Sequence, residues 1–129
     1  MAMEKVFTDI PMAQIVLCDD GMFEVHIRPD VRIDGAGLLG SMEARRSLLA
    51  GRSGPILILA PGDLDREPSA LQTDFFGPDE STITAFAEMV DSKVLGLVAN
   101  MYFGLFPARF PAKVCNDETQ AREWLKGER

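Results

Sequence analysis

Three acidic residues at alternating positions are the first candidates for chemistry in this sequence, Asp63, Asp65 and Glu67. Carboxylates at this spacing can surround a hard cation such as Ca²⁺ or Mg²⁺. An EF-hand loop starting there would have glycine at its sixth position and glutamate at its twelfth, but Pro68 and Asp74 occupy those positions. We therefore interpret the segment as a solvated acidic loop and predict no bound metal. A metal-dependent enzyme at this loop is kept as a third functional hypothesis.

A second candidate is the sequence GAGLLG at residues 35–40, which matches the pattern G-x-G-x-x-G. In dinucleotide-binding proteins these glycines let a pyrophosphate approach the N-terminus of a helix, directly after a buried strand. The polar residues VRID precede the motif here, so the buried strand is missing. We interpret the glycines as the start of a helix with Asp34 as its N-cap, and we predict no cofactor.

Nucleophilic and zinc chemistry find little support among the remaining residues. No G-x-S-x-G sequence is present, and His26 is the single histidine. In MFEVHIR it alternates with apolar residues, which predicts a position on the solvent-facing side of a strand. Cys18 and Cys115 have no second cysteine at C-x-x-C spacing, and we interpret them as small buried apolar residues. The sequence therefore predicts no catalytic residues and favours a protein that is not an enzyme.

Length and charge restrict the function further. The chain has 129 residues, enough for one domain, and its 20 acidic against 13 basic residues give a net charge of −7. A nucleic-acid backbone would be repelled, so nucleic-acid binding is disfavoured. No run reaches the roughly 20 apolar residues that a membrane helix needs, and no secretory signal is visible. We expect a cytoplasmic protein with reduced thiols.

The apolar pattern predicts one α/β domain over residues 14–129, after an N-terminal arm over residues 1–13. The sequence DDG at 19–21 predicts a hairpin turn between the first two strands. The continuous apolar run PILILA, residues 55–60, is typical of a central parallel strand that is buried on both faces. Residues 81–90 fit a helix or a strand, and we predict a strand. The predicted order is β-β-α-β-α-β-α-β-α, a mixed, mostly parallel sheet with an N-terminal antiparallel hairpin.

The segment VLGLVANMYFGLF, residues 94–106, carries no charge. A helix that is apolar all round is usually covered on more than one side, and contiguous exposed apolar surface marks a contact site. We therefore predict that this helix is buried in a homo-oligomer, with a dimer favoured, or in a complex with another protein. The predicted interface residues are Leu95, Val98, Tyr102, Leu105 and Phe106.

Three stretches resemble an uncharacterised bacterial family of STAS/SEC14-like domains. They are PILILA with its acidic loop, SKVLGLVANMYFGLFPARFPAKVCND, and ETQAREWL. The order of the predicted elements is also similar to the SpoIIAA-like STAS fold of anti-sigma-factor antagonists. The resemblance covers most of residues 14–126 and implies a single STAS-like domain. The family carries no established activity, so the resemblance implies a fold more than a function.

The resemblance also implies one candidate site residue. In the antagonists, a phosphorylatable serine opens the helix after the third strand, within a D-S-S-G-L type sequence. EPSAL stands at that place in this chain, so Ser69 is the matching position, and Glu67 and Pro68 replace the Asp-Ser pair. Ser69 is therefore predicted either as a phosphoacceptor or as the N-cap of its own helix.

Two functional hypotheses of different class follow. The first is a non-enzymatic STAS-like module that regulates or contacts another protein, because the fold is of that kind and a catalytic set is missing. The second is a domain that binds a small apolar, lipid-like ligand. In that case the seven methionines and eight phenylalanines would line an adaptable pocket.

Overall fold

A computed structural model describes residues 5–18, 21–60, 68–72, 76, 81–90, 93–107 and 109–127. Within these residues the chain forms six strands and four helices. The strands are β1 (Lys5–Asp9), β2 (Ala13–Cys18), β3 (Phe23–Ile27), β4 (Gly54–Ala60), β5 (Ile83–Val90) and β6 (Ala112–Cys115). The helices are α1 (Gly35–Leu49), α2 (Pro68–Gln72), α3 (Lys93–Leu105) and α4 (Glu118–Gly127). None of these helices is long and apolar enough to cross a membrane.

The strands form one mixed sheet whose spatial order is the order along the chain, β1-β2-β3-β4-β5-β6. β1, β2 and β3 pair antiparallel, and β3 to β6 pair parallel. The predicted α/β class, the antiparallel hairpin, the parallel units and the strand at β5 are confirmed. The predicted arm needs a correction, because its residues Lys5–Asp9 pair with β2 as an edge strand. Main-chain hydrogen bonds hold such a strand, and they require no periodic side-chain pattern.

Two apolar clusters cover the two faces of the sheet. The larger cluster contains side chains of α1, α2 and α3 together with the β4 residues Ile56 and Ile58. The smaller cluster contains the alternate β4 residues Leu57 and Leu59 and side chains of α4. The parallel strands β3 to β6 follow one another in the sheet, so right-handed crossovers place the connecting helices α1, α2 and α3 on the same face. Among the described helices, α4 packs on the opposite face. β4 is therefore buried on both faces, as its continuous apolar sequence predicts.

The prediction for the polar side of β3 is wrong. Phe23, Val25 and Ile27 belong to the larger cluster, as their alternation indicates. Glu24 and His26 are expected in solvent on the opposite face, but Glu24 is 3% exposed and His26 is half-buried. A period of two distinguishes the two sides of a strand, and it does not show whether a later helix covers the polar side.

Gly54 opens β4 where the chain passes close to the turn between β2 and β3. A Cβ atom at Gly54 would lie 2.5 Å from the carbonyl oxygen of Gly21 and 3.3 Å from its carbonyl carbon. Both are backbone atoms, so they can yield only if the turn or the strand moves. We expect Gly54→Ala to lower the free energy of unfolding by about 1–3 kcal/mol, measured by urea denaturation.

Gly40 supplies the control for this substitution. It lies within α1, and a Cβ atom there would meet no atom within 4 Å. Gly40→Ala should raise the free energy of unfolding by about 0.5–1 kcal/mol, because alanine stabilises a helix interior relative to glycine. Equal stability of the Gly54→Ala variant and the wild-type protein would contradict the close backbone approach.

Candidate functional site

An exposed apolar stripe runs along α3. Leu97, Met101 and Leu105 follow one another at intervals of four residues, so they lie on one face of the helix. They are 66%, 57% and 62% exposed, respectively, and we call these three residues the α3 stripe. Lys93 is the single charged residue in the sequence of α3, and it lies one turn before Leu97 on the same face, so the stripe itself is uncharged and begins next to a lysine.

Small residues flank the α3 stripe. Asn100 and Gly104 are exposed beside it. A Cβ atom at Gly104 would meet no atom within 4 Å, so the space above the helix backbone is open there. Gly96 faces the sheet instead, where a Cβ atom would approach Cγ2 of Val90 to 3.4 Å. A second helix can therefore come close to α3 along Asn100 and Gly104, since the separation of two helices depends on the side chains at their contact.

The opposite side of α3 is fixed in the core by aromatic packing. Tyr102 is 1% exposed, and its ring centroid lies 5.4 Å from that of Phe103 and 6.2 Å from that of Phe76. Phe76 in turn packs edge-on against Phe86 and Phe110, at 5.0 and 5.3 Å between ring centroids. Ring pairs of this kind stabilise beyond the area that they bury. They anchor α3 to the sheet and leave the stripe on the outside.

The predicted interface residues occupy different environments. Leu105 is exposed and belongs to the α3 stripe, whereas Tyr102 lies in the core and cannot touch a partner directly. Val98 and Phe106 are half-buried, and the side chain of Leu95 lies outside the described part of the structure. The sequence missed the other two residues of the stripe, because a helix without charge gives no sign of which face is exposed. Contact with a partner through α3 stays a prediction.

Ser69 is the second residue of α2 and lies beside the N-terminus of α1. Its Oγ accepts a hydrogen bond from the backbone N–H of Gly35 at 3.0 Å, and the residue is half-buried. Oδ1 of Asp34 accepts another from the N–H of Gly37 at 2.7 Å. These oxygens satisfy two amide groups that a helix start leaves free. Ser69 therefore helps to cap α1 and lies within α2, not at the N-cap position of that helix, and its phosphorylation stays a prediction.

The other chemical candidates do not form a site in the described residues. The glycine motif at 35–40 lies within α1, where Asp34 is the N-cap, as predicted. Protein oxygens already bind two of its amide groups, which a pyrophosphate would need. The acidic residues Asp63, Asp65 and Glu67 lie outside the described residues. Elsewhere in the described ranges, no three His, Cys, Asp or Glu side chains converge on a point where they could hold a metal ion.

A buried carboxylate fastens α4 to β3. Oε2 of Glu24 accepts a hydrogen bond from Nη1 of Arg122 at 2.8 Å. Its Oε1 accepts from Nη2 of the same arginine at 3.3 Å and from Nε2 of His26 at 2.7 Å. The Cys18 thiol donates to Oε2 at 3.5 Å, and Nε of Arg122 donates to Glu118 at 2.9 Å. Both oxygens of the buried group are therefore occupied.

The ionisation of Glu24 follows from these contacts. Burial acts to raise the pKa of Glu24, but the hydrogen bonds from His26 and Arg122 and the positive charge of Arg122 outweigh it. Together they hold the pKa at about 2, below the ordinary value of 4.5. The hydrogen bond to Glu24 raises the pKa of Arg122 in return. A carboxylate of such low basicity is a structural anchor and a poor general base near neutral pH.

Comparison with solved structures identifies the class of fold. The chain is similar to the crystal structure of an uncharacterised protein from the DUF3478 family with a SpoIIAA-like fold, from Shewanella loihica PV-4. The TM-score is 0.54 at 14% sequence identity, and the match covers 96% of this chain and 94% of that one. At this identity the likeness concerns the fold alone. The protein therefore has a SpoIIAA-like, or STAS-like, α/β fold.

The family follows from the sequence profile of a domain of unknown function, DUF7793, which matches residues 16–129. The chain belongs to this family. A comparison with curated proteins gave no match. The resemblance to an uncharacterised STAS-like family is thus confirmed.

Proposed function

We propose that the chain is a non-enzymatic STAS-like module that acts in the cytoplasm by contact with protein. The α3 stripe carries this proposal. It supplies three of the five large apolar residues that are exposed among the described ones, so exposed apolar surface is concentrated there. Concentrated apolar surface marks an interaction site. Cys18 and Cys115 are not joined in a disulfide, which fits a cytoplasmic location, where thiols stay reduced.

We propose a second copy of the chain as the partner. The net charge of −7 makes two copies repel one another at most surfaces. The α3 stripe carries no charge, so two copies can meet there without like-charge repulsion. In a two-fold dimer the same surface serves both partners. Antiparallel α3 helices would place Met101 near the axis and Leu97 of one copy opposite Leu105 of the other, with Gly104 allowing close approach.

Leu105→Asp should convert the dimer into a monomer. The substitution places a carboxylate on each side of an apolar contact, and a buried charge without a partner is costly. Size-exclusion chromatography with light scattering at about 10–200 µM protein should give the dimer mass for the wild type and the monomer mass for the variant. The circular dichroism spectrum should not change, because Leu105 is exposed in the single chain.

Leu39→Asp is the matched control, because Leu39 is also an exposed leucine on a helix but lies on α1. This variant should keep the dimer mass. A wild-type protein that is monomeric over the whole concentration range would contradict the proposal. A dimer that survives Leu105→Asp, or that both substitutions weaken equally, would also contradict it.

The apolar-ligand hypothesis has less support. Phe76, Phe86 and Tyr102 fill the core, where they pack on one another and on further rings. A mostly apolar cavity of about 430 Å³ lies between α1 and the turn that joins β1 to β2. Met12 is the one methionine among its described lining residues, and none of them is phenylalanine. This cavity is thus not the adaptable pocket of methionines and phenylalanines that this hypothesis requires.

A further inference from the structure

A cleft of about 660 Å³ lies between α3 and the edge strand β6. Val90 and Cys115, the last residues of β5 and β6, line it. Because these neighbouring strands are parallel, the cleft lies at their common carboxyl end. The cleft shares Leu97 with the α3 stripe and Asn100 with the surface beside the stripe, and its other lining residues lie outside the stripe.

Among the described residues that line the cleft, the two charged side chains are both cationic. Lys93 begins α3, and Lys113 lies on β6. Asn100, Asn116 and Gln120 add amide groups that donate hydrogen bonds. The chain as a whole has seven more acidic than basic residues, so this lining reverses the local sign of charge. A cleft with such a lining attracts anions.

Two ionisable groups lie beside the lysines, the thiol of Cys115 and the carboxylate of Asp117, and the charge of Asp117 acts on Cys115. Burial raises the pKa of the Cys115 thiol, so the thiol stays neutral near pH 7. Asp117 follows the cleft residue Asn116, but its Oδ1 accepts a hydrogen bond from the N–H of Thr119 at 3.3 Å. Asp117 thereby caps α4 and does not line the cleft.

The cleft continues into an aromatic part. A second cavity, of about 320 Å³, shares Asn100, Lys113 and Val114 with it and extends to Phe103 and Phe110. The seam between α3 and β6 therefore has a cationic end and an aromatic end. A ligand that fills both parts needs an acidic group joined to a ring or an alkyl chain.

We propose that the seam between α3 and β6 binds a small amphipathic organic anion, such as an aryl or alkyl phosphate or carboxylate. Its acidic group lies between Lys93 and Lys113, and its apolar part follows Val114 toward Phe103. The ligand comes from solution rather than from a membrane, because a chain with a net charge of −7 is repelled by an anionic lipid surface. This site does not depend on the proposed dimer.

Phenyl phosphate is the probe, because it joins a dianionic group to a ring. Titration followed by ¹H–¹⁵N NMR should shift the backbone resonances of Gly96, Asn100, Asn116 and Gln120, and the shifts should saturate. Inorganic phosphate and benzyl alcohol each supply one half of the probe, and each should bind at least about tenfold more weakly. If benzyl alcohol bound as tightly as phenyl phosphate, the role of the two lysines would be refuted.

The double variant Lys93→Gln/Lys113→Gln should weaken phenyl phosphate binding by about tenfold or more, because charge-assisted hydrogen bonds are lost. Lys126→Gln is the matched control, since Lys126 is an exposed lysine of α4 outside the cleft. The affinity of this variant for phenyl phosphate should stay within about twofold of the wild-type affinity. Unchanged affinity in the double variant, or saturable shifts confined to other regions, would overturn the proposal.

A sedimentation experiment with lipid vesicles distinguishes a soluble anion from the headgroup of a membrane lipid. Phosphatidylglycerol vesicles should not sediment the protein. Sedimentation without any response to phenyl phosphate would overturn the proposal of a soluble ligand. The dimer is tested by molar mass and the ligand by resonance shifts, so failure of one proposal can be told from failure of the other.

Discussion

Arg45→Ala should lower the free energy of unfolding by about 3–5 kcal/mol, out of the roughly 5–15 kcal/mol that such a domain has. Arg45 is 1% exposed and lies on the inner side of α1. Its Nη1 donates to Oγ1 of Thr82 at 2.8 Å, and its Nη2 donates to the carbonyl oxygens of Thr82 at 2.9 Å and Gly54 at 3.3 Å. Alanine would leave these acceptors without their donor and would open a cavity.

Two further variants separate these contributions. Arg45→Met keeps much of the volume and removes the donors, so its loss should be smaller than that of Arg45→Ala. Arg46→Ala is the control at the next position, where the side chain is exposed, and it should change the free energy of unfolding by less than about 0.5 kcal/mol. Urea denaturation measures all three. An Arg45→Ala variant within about 1 kcal/mol of the wild type would refute the bridging role of Arg45.

Glu24→Gln should lower the free energy of unfolding by about 2–4 kcal/mol at pH 7. The substitution keeps the size of the side chain but removes the charge that Arg122 and His26 contact. Because Arg122 is partly exposed, water can hydrate its guanidinium group when the charge of Glu24 is removed. The loss of stability should therefore be smaller than for a fully buried ion pair. Glu118→Gln removes the exposed partner of the same arginine, and it should cost less than about 1 kcal/mol.

The stability of the wild-type protein and that of the Glu24→Gln variant should depend differently on pH. The pKa of Glu24 is about 2 in the folded chain and 4.5 as the ordinary value, so the unfolded chain takes up the proton first as the pH falls. The stabilisation by Glu24 is complete above about pH 4.5 and declines as the pH falls toward 2. The difference between wild type and Glu24→Gln should shrink over that interval. If the difference in free energy of unfolding stays constant from pH 6 to pH 2.5, the carboxylate of Glu24 is not the source of the stabilisation.

Much of the fold could be predicted because its signals are local. PILILA indicates a strand buried on both faces, and β4 has a helix layer on each side. Asp34 stands one residue before α1 and caps it, as expected from its side chain. The edge strand β1 carries no such signal, because an edge strand is held by its main chain.

The candidate site could be predicted in part. An uncharged sequence at 94–106 indicates a helix with an apolar exposed side, but it does not show which residues turn outward. The contacts that decide other positions join distant parts of the chain. Glu24 meets Arg122 across 98 positions, and Ser69 meets Gly35 across 34. These pairs form only because whole helices and strands pack against one another, and that packing cannot be read from a single sequence.

The strand order has a consequence for how the chain reaches its fold. Each strand pairs with the strand made just before it, from β1 to β6. No strand has to insert between two others that have already paired, so the sheet can grow at one edge as the chain leaves the ribosome. Pairing between sequence neighbours also keeps the entropic cost of loop closure small. A nascent chain that ends after β6 can hold the complete sheet, and the docking of α4 onto Glu24 then closes the second face last.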